Sequence, residues 1–288
     1  MHCARTDALS PDRHQHAFPD MPHSSAARGA TRPISATPAV HRRTRRIPHP
    51  KISAVRRGVW RYSPGVSNLF LHTLHEGFKS ARFARVNGEE VVEDYGDIAA
   101  EHAAFASTVG VVDLSFRSRL CITGADRSRF LHGQVTNNVK DLQPGQGCYA
   151  ALVTAKGKLQ SDLNIYCLRD ELLLDFEPGL TARVRERLEH FVVADDVQVV
   201  EVAPHYGLLG VLGPGAAQLI RQSGFNWTLP KLPLSSVTIS DPAQGEIIIV
   251  NQARGAHQGF DLFVPLTALE AVAKSLMTTA GSSGGRAW

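Results

Sequence analysis

Residues 147–176 carry three strand-like runs separated by very little chain. Cys148–Thr154, Leu159–Leu168 and Glu171–Phe176 are joined by the connections AKGK and RD. Loops of that length link antiparallel neighbours, whereas a parallel partner needs a crossover of a dozen residues or more. This stretch therefore commits the chain to an antiparallel sheet. Further strand-like runs fall at Val111–Leu114, Arg119–Ile122, Val197–Val202, Tyr206–Leu212, Gly245–Asn251 and Gly259–Val264.

Helical patterns occupy the gaps. In Asp97–Thr108, Ile98, His102 and Phe105 fall at i, i+4, i+7, and Gly110 ends the run. Gly124-Ala125-Asp126 opens ADRSRFLHGQV, with Asp126 available to the N-terminal dipole. LTARVRERLEHF places Leu180, Val184, Leu188 and Phe191 on one stripe. Gly213-Pro214-Gly215 precedes AAQLIRQSG, and Leu266–Thr278 forms a last helix. Residues 224–243 read as an irregular loop. The alternation is too strand-dense for a doubly wound parallel sheet. It predicts an α+β domain of mostly antiparallel sheets with helices on one face.

Charge separates the first sixty-odd residues from the rest. Residues 1–64 hold 12 Lys/Arg and 3 Asp/Glu, whereas residues 65–288 hold 19 and 24. The net charge of +4 thus belongs to the leading segment. That segment is rich in Arg, His, Pro, Ser and Ala, lacks apolar periodicity, and is expected to be a disordered basic tail. A start placed too far upstream accounts for it most simply. A transit-like peptide or a basic arm built on Arg42, Arg43, Arg45 and Arg46 are the alternatives. Nucleic-acid binding is not expected outside this tail, and no apolar run is long enough to span a bilayer. Cys3, Cys121, Cys148 and Cys167 form no C-x-x-C pair and read as reduced thiols in a cytoplasmic setting, or a mitochondrial matrix in a eukaryote. Neither G-x-G-x-x-G nor a G-x-x-x-x-G-K-[ST] loop follows a strand.

Chemistry is concentrated in Gly147–Tyr166. Alternation puts Asp162 on one face with Gln160, Asn164 and Tyr166, opposite Leu159, Ser161, Leu163 and Ile165. A mid-strand carboxylate is either a solvated face or a functional acid, and spacing favours the former.

Four motifs, in order, resemble the N-terminal domain of the glycine-cleavage T-protein (aminomethyltransferase, GcvT) family. They are GVVDLS (110–115), ITGADRSRFLHGQVTNNV (122–139), LQPGQGCYAALVTAKGKLQSDLNIY (142–166) and LGVLGPGAAQLI (209–220). The HGQVTNN and TAKGK variants are closer to the YgfZ branch of that family. The resemblance covers residues 65–265 and implies a GcvT-type folate-binding domain over 65–279. It also implies a tetrahydrofolate pocket at the domain's centre. Ser161-Asp162 stands where the family has an Asp-Asp pair beside the reacting folate nitrogen, so Asp162 becomes the candidate catalytic acid. Tyr149, Ser161, Asp162 and His257 become the candidate folate-binding residues, with no metal. His257 in ARGAHQGFDLFVP replaces a pterin-gripping Glu, and Arg254 replaces an aromatic. His257 reads equally well as an ordinary loop histidine.

The branch resemblance implies a tetrahydrofolate-binding protein that supports iron–sulfur enzymes or tRNA modification, with iron–sulfur proteins as partners. The alternatives are a folate-dependent aminomethyltransferase or demethylase working with a lipoyl carrier protein, and a non-catalytic remnant. Residues 280–288 are rich in Gly and Ser, and fall where a linker to the family's C-terminal β-barrel would begin. The expected form therefore lacks that barrel.

Overall fold

A computed structural model describes residues 70–78, 80–282 and 286–287. The expectations for residues 1–64 lie outside the described residues. Helix α1 (His72–Glu76) and a hairpin of β1 (Arg82–Val86) and β2 (Glu89–Asp94) lead into α2 (Ile98–Ser107). The hairpin turns at Asn87 and Gly88, both at positive φ, as a primed turn requires.

Two larger sheets follow. The five-stranded sheet is antiparallel throughout, in the order β5 (Gly147–Val153), β6 (Leu159–Cys167), β7 (Leu172–Phe176), β4 (Ser118–Thr123), β8 (Gln198–Glu201). The six-stranded sheet runs β10 (Ser236–Asp241), β11 (Gly245–Asn251), β12 (Gly259–Pro265), β9 (Tyr206–Leu212), β3 (Gly110–Asp113), β13 (Arg286–Ala287). Among the described residues only β13 pairs in parallel, with β3.

The sheets stack face to face. Between them lie Cys121, Tyr166 and Leu173 from one sheet, against Leu208, Ile248, Val250 and Phe263 from the other. The outer face of the five-stranded sheet, with Leu120, Leu163, Ile165 and Leu174, packs on α3 (Arg127–His132) and α4 (Thr181–Glu189). The outer face of the six-stranded sheet, with Val211, Ile249 and Leu262, packs on α5 (Ala216–Gln222) and α6 (Leu266–Ser282). The order is helix, sheet, sheet, helix: the α+β, mostly antiparallel class stands, with helices on both outer faces rather than one. Each strand between those layers must satisfy two buried faces, which is why β7 and β9 are buried along their whole length.

Four local expectations change. Helix α2 buries Glu101 and Ala104 and leaves Ile98 exposed. Small alanines permit close approach, and the Glu101 carboxylate accepts from the Tyr95 and Asp97 amides at 3.0 and 3.2 Å. The loop 224–243 contains strand β10, an edge strand whose Val237 and Ile239 alternate with Ser and Thr. Helix α6 continues to Ser282 and Arg286–Ala287 join the sheet, so 280–288 is not simply a linker. A bulge between Leu152 and Val153 breaks the β5–β6 register, pairing Ser161 with Leu152 and Leu159 with Val153. The extra residue, Gln160, accepts from Arg187 Nε of α4 at 3.2 Å and so leaves the face of Asp162.

Candidate functional site between the sheets

Alternation along β6 sends Asp162, Asn164 and Tyr166 toward the inter-sheet layer. Ser161 points to the helix side, buried opposite Leu152, and its hydroxyl donates to the Asp162 carbonyl at 2.9 Å. Ser161 is therefore not part of the face that carries Asp162. Tyr149 comes from edge strand β5, is 54% exposed, and donates its hydroxyl to Asp162 Oδ2 at 2.9 Å. That bond raises the Tyr149 phenol above its ordinary value. Asp162 Oδ1 has no partner among the described residues. The geometry brings Tyr149 and Asp162 together.

His257 lies elsewhere. It forms a bridge with Arg254 and packs its ring against His102 and Phe105 of α2, at centroid distances of 5.5 and 5.7 Å. The side chain from this segment that turns inward is Arg254. Its Nη2 donates to Asp175 Oδ2 at 2.9 Å and to Asp261 Oδ2, and its Nε reaches Asp261 Oδ1 at 3.4 Å. Arg254 thus stitches the loop after β11 to both sheets. Tyr166 adds a second stitch, donating its hydroxyl to Gln252 Oε1 at 2.9 Å.

Asp175 is the hub of a polar cluster that motif reading passes over. It accepts from Arg117 Nε at 2.8 Å, Asn164 Nδ2 at 3.1 Å and Arg254 Nη2 at 2.9 Å. Burial opposes its ionisation, and the Arg254 and Arg117 guanidinium groups overcome that, holding the carboxyl below its usual range. Asp261 has Arg254 as its guanidinium partner, and burial pushes its carboxyl upward. Two carboxylates compete for one guanidinium, and the one with more donors stays ionised more readily. Arg119 completes the cluster. It is fully buried, donates Nη2 to the Ser115 carbonyl at 2.9 Å, and leaves Nε and Nη1 without partners among the described residues. Burial pushes this guanidinium down to about 10, against the pull of Asp175 and Asp113.

The register aligns these groups. Tyr149 pairs with Asn164, Asn164 with Asp175, and Asp175 with Arg119, so one polar row crosses four strands from the exposed edge to the sealed interior. The sequence signals of this row and of Asp261 facing it are single charges inside apolar runs, LLLDF and GFDLFV, in strands with no solvated face to hold them. Among the described residues no His/Cys/Asp/Glu group could hold a metal ion. The open end of the row combines an aromatic ring, a half-buried carboxylate and an amide. Such a set suits a flat polar heterocycle.

Comparison with known proteins agrees with this architecture. The chain is 28% identical over 221 residues to an aminomethyltransferase of Cupriavidus necator, covering 72% of this chain and 58% of that protein. It is 29% identical over 158 residues to a putative chloroplastic transferase of Arabidopsis thaliana, covering 54% of this chain and 35% of that one. The chain thus spans little more than half the length of the first of these relatives, and about a third of the second. The crystal structure of the glycine cleavage system aminomethyltransferase T from Bartonella henselae shares the fold, with a TM-score of 0.66 at 22% identity over 73% of this chain and 56% of that one. A family model, the GCVT N-terminal domain, matches residues 71–287, and the chain belongs to that family.

Proposed function

We propose that this domain binds a reduced folate at the open end of the inter-sheet row and presents it for aminomethyltransferase-type one-carbon chemistry. The observation that carries this reading is the placement of Asp162. Of the Ser161-Asp162 pair, the acid that is kept faces the site, and the position that lost its carboxylate faces the helices. The loss at Ser161 therefore removes nothing from the folate-facing surface. When bound, the folate supplies the nitrogen that carries the one-carbon unit. Asp162 offers an unshared oxygen to a ring or amino N–H, while Tyr149 holds the other oxygen and offers its ring as a packing surface. Titration of the full chain with 5-formyl-tetrahydrofolate tests the reading. Asp162→Ala should weaken binding by about 1.5–3 kcal/mol, the scale of a hydrogen bond to a charged group. Absence of heat with the unmodified chain overturns it.

One observation favours a second reading, a YgfZ-like binder that supports iron–sulfur enzymes or tRNA modification without group transfer. The position of the family's pterin-gripping Glu is His257, packed on α2, and the inward side chain is an Arg neutralised by Asp175 and Asp261. Ammonia release from an aminomethyl-lipoyl carrier protein in the presence of tetrahydrofolate separates the two: turnover supports the first, binding without turnover the second.

A further inference from the structure

We infer that Asn164 reads the donor edge of the bound ligand, accepting through Oδ1 from an amino or ring N–H group. This rests on the folate reading above and names the residue that selects the heterocycle. The argument starts at Asp175. An ionised carboxylate accepts and cannot donate, so the Asn164 amide must turn its Nδ2 toward it, as observed at 3.1 Å. The amide is planar, so fixing Nδ2 fixes Oδ1 on the other side. Arg117 and Arg254 hold the Asp175 carboxylate in place, so the orientation of Asn164 is set by three side chains from outside its own strand.

Oδ1 has no donor among the described residues, yet it is not one of the sealed side-chain atoms that lack partners. An acceptor left unpaired in a nearly buried residue (Asn164 is 8% exposed) is costly unless something donates to it. Its surroundings say what that donor belongs to. Asp162 lies two residues away on the same face, about 6.8 Å along the strand, which is the length of a two-ring heterocycle. Tyr149, opposite Asn164 in register, supplies an exposed aromatic wall beside both acceptors. A carboxylate and an amide carbonyl at that spacing match a planar bicycle that carries N–H groups at both ends.

The test compares two ligands on the full chain by calorimetry: 5-formyl-tetrahydrofolate, and the same molecule with its 2-amino group replaced by methyl. The unmodified chain should prefer the amino ligand by roughly tenfold, the value of one buried hydrogen-bond partner. In Asn164→Leu the preference should fall to within about twofold. In Asn164→Ser, whose hydroxyl can still donate to Asp175, it should fall similarly with the melting temperature kept. If the unmodified chain binds neither ligand, the folate reading fails. If it binds both equally, the folate reading stands and the role of Asn164 is overturned. A variant that keeps the full preference, or loses both ligands in equal proportion, also overturns it. Should Asn164→Leu not fold, the preference of the unmodified chain and the Ser variant still decide the matter.

Discussion

Two neighbouring rows of the five-stranded sheet cross the same four strands and meet opposite surroundings. Cys148, Ile165, Leu174 and Leu120 pair across β5, β6, β7 and β4 and face α3 and α4. Tyr149, Asn164, Asp175 and Arg119, one residue further along or back on each strand, face the other sheet. The first row is held by volume, and any side chain of similar shape serves it. The second is held by direction. Each group depends on the orientation of the next, and the row is sealed at Arg119 and open at Tyr149. A binding site needs the second kind of order, and the first supplies the rigid frame it stands on.

Adjacent residues Leu174 and Asp175 allow the comparison to be broken at one place. Asp175→Ala strips Arg117, Arg254 and Asn164 of a shared acceptor and leaves Arg254 with Asp261, Arg117 with the half-exposed Glu177, and the buried cluster short of one negative charge. The expected loss is about 3–5 kcal/mol, read as a fall in urea midpoint. The variant should also bind the amino and methyl folates alike, because nothing then orients Asn164. Its pH dependence carries a further signature. The folded carboxyl of Asp175 titrates below its unfolded value, so its contribution is complete above about pH 4 and is lost as pH falls through the lower folded value. The variant should lack that portion of the acid transition. Asp261, pushed upward, acts in the opposite sense: its contribution is present below the unfolded value and is lost as pH rises through the folded one.

Leu174→Ala should cost about 2–5 kcal/mol through the cavity it leaves, at most 10–20 °C in melting temperature for a domain of this size. Where the variant is folded, its affinity and ligand preference should match those of the unmodified chain. A change in preference would mean that the helix-facing row is not merely a frame.

The two rows also differ in how far the amino-acid sequence discloses them. The apolar row follows from alternation in LLLDF and LQSDLNIY, and the antiparallel order of β5, β6 and β7 follows from their short connections. The bond between Tyr149 and Asp162 does not follow from that arithmetic: Tyr149 stands opposite Asn164 and reaches Asp162 diagonally. Nor does the cluster around Asp175, because Arg117, Arg254 and Asp261 come from segments up to 144 residues apart. Only the stacking of the two sheets joins them. Lone charges in strands buried on both faces were the available sign. Gln160 misled for a different reason: a bulge shifts the period by one residue, and nothing in LQSD marks it. His257 and Arg254 are three residues apart in one hairpin, and it is Arg254 that turns inward, to Asp261 on the strand leaving that hairpin and to Asp175 on the other sheet.

The smallest expected effect lies at the open end of the polar row. Tyr149→Phe removes a hydroxyl whose bond to Asp162 is exposed to water. Water replaces the lost donor, so the melting temperature should hold, within about 0.5 kcal/mol of stability. Affinity for 5-formyl-tetrahydrofolate should change by only about 0.5–1.5 kcal/mol, one neutral-scale hydrogen bond, because the ring remains to pack on the ligand and Asp162 Oδ1 remains to accept. Tyr149→Ala, which removes the ring, should cost more than Tyr149→Phe. If the two variants weaken binding equally, the hydroxyl rather than the ring is what the ligand meets, and Tyr149 belongs to the directional order of its row right up to the exposed edge. If Phe is neutral and Ala is not, the edge of the row reverts to the rule of its apolar neighbour, where shape alone decides.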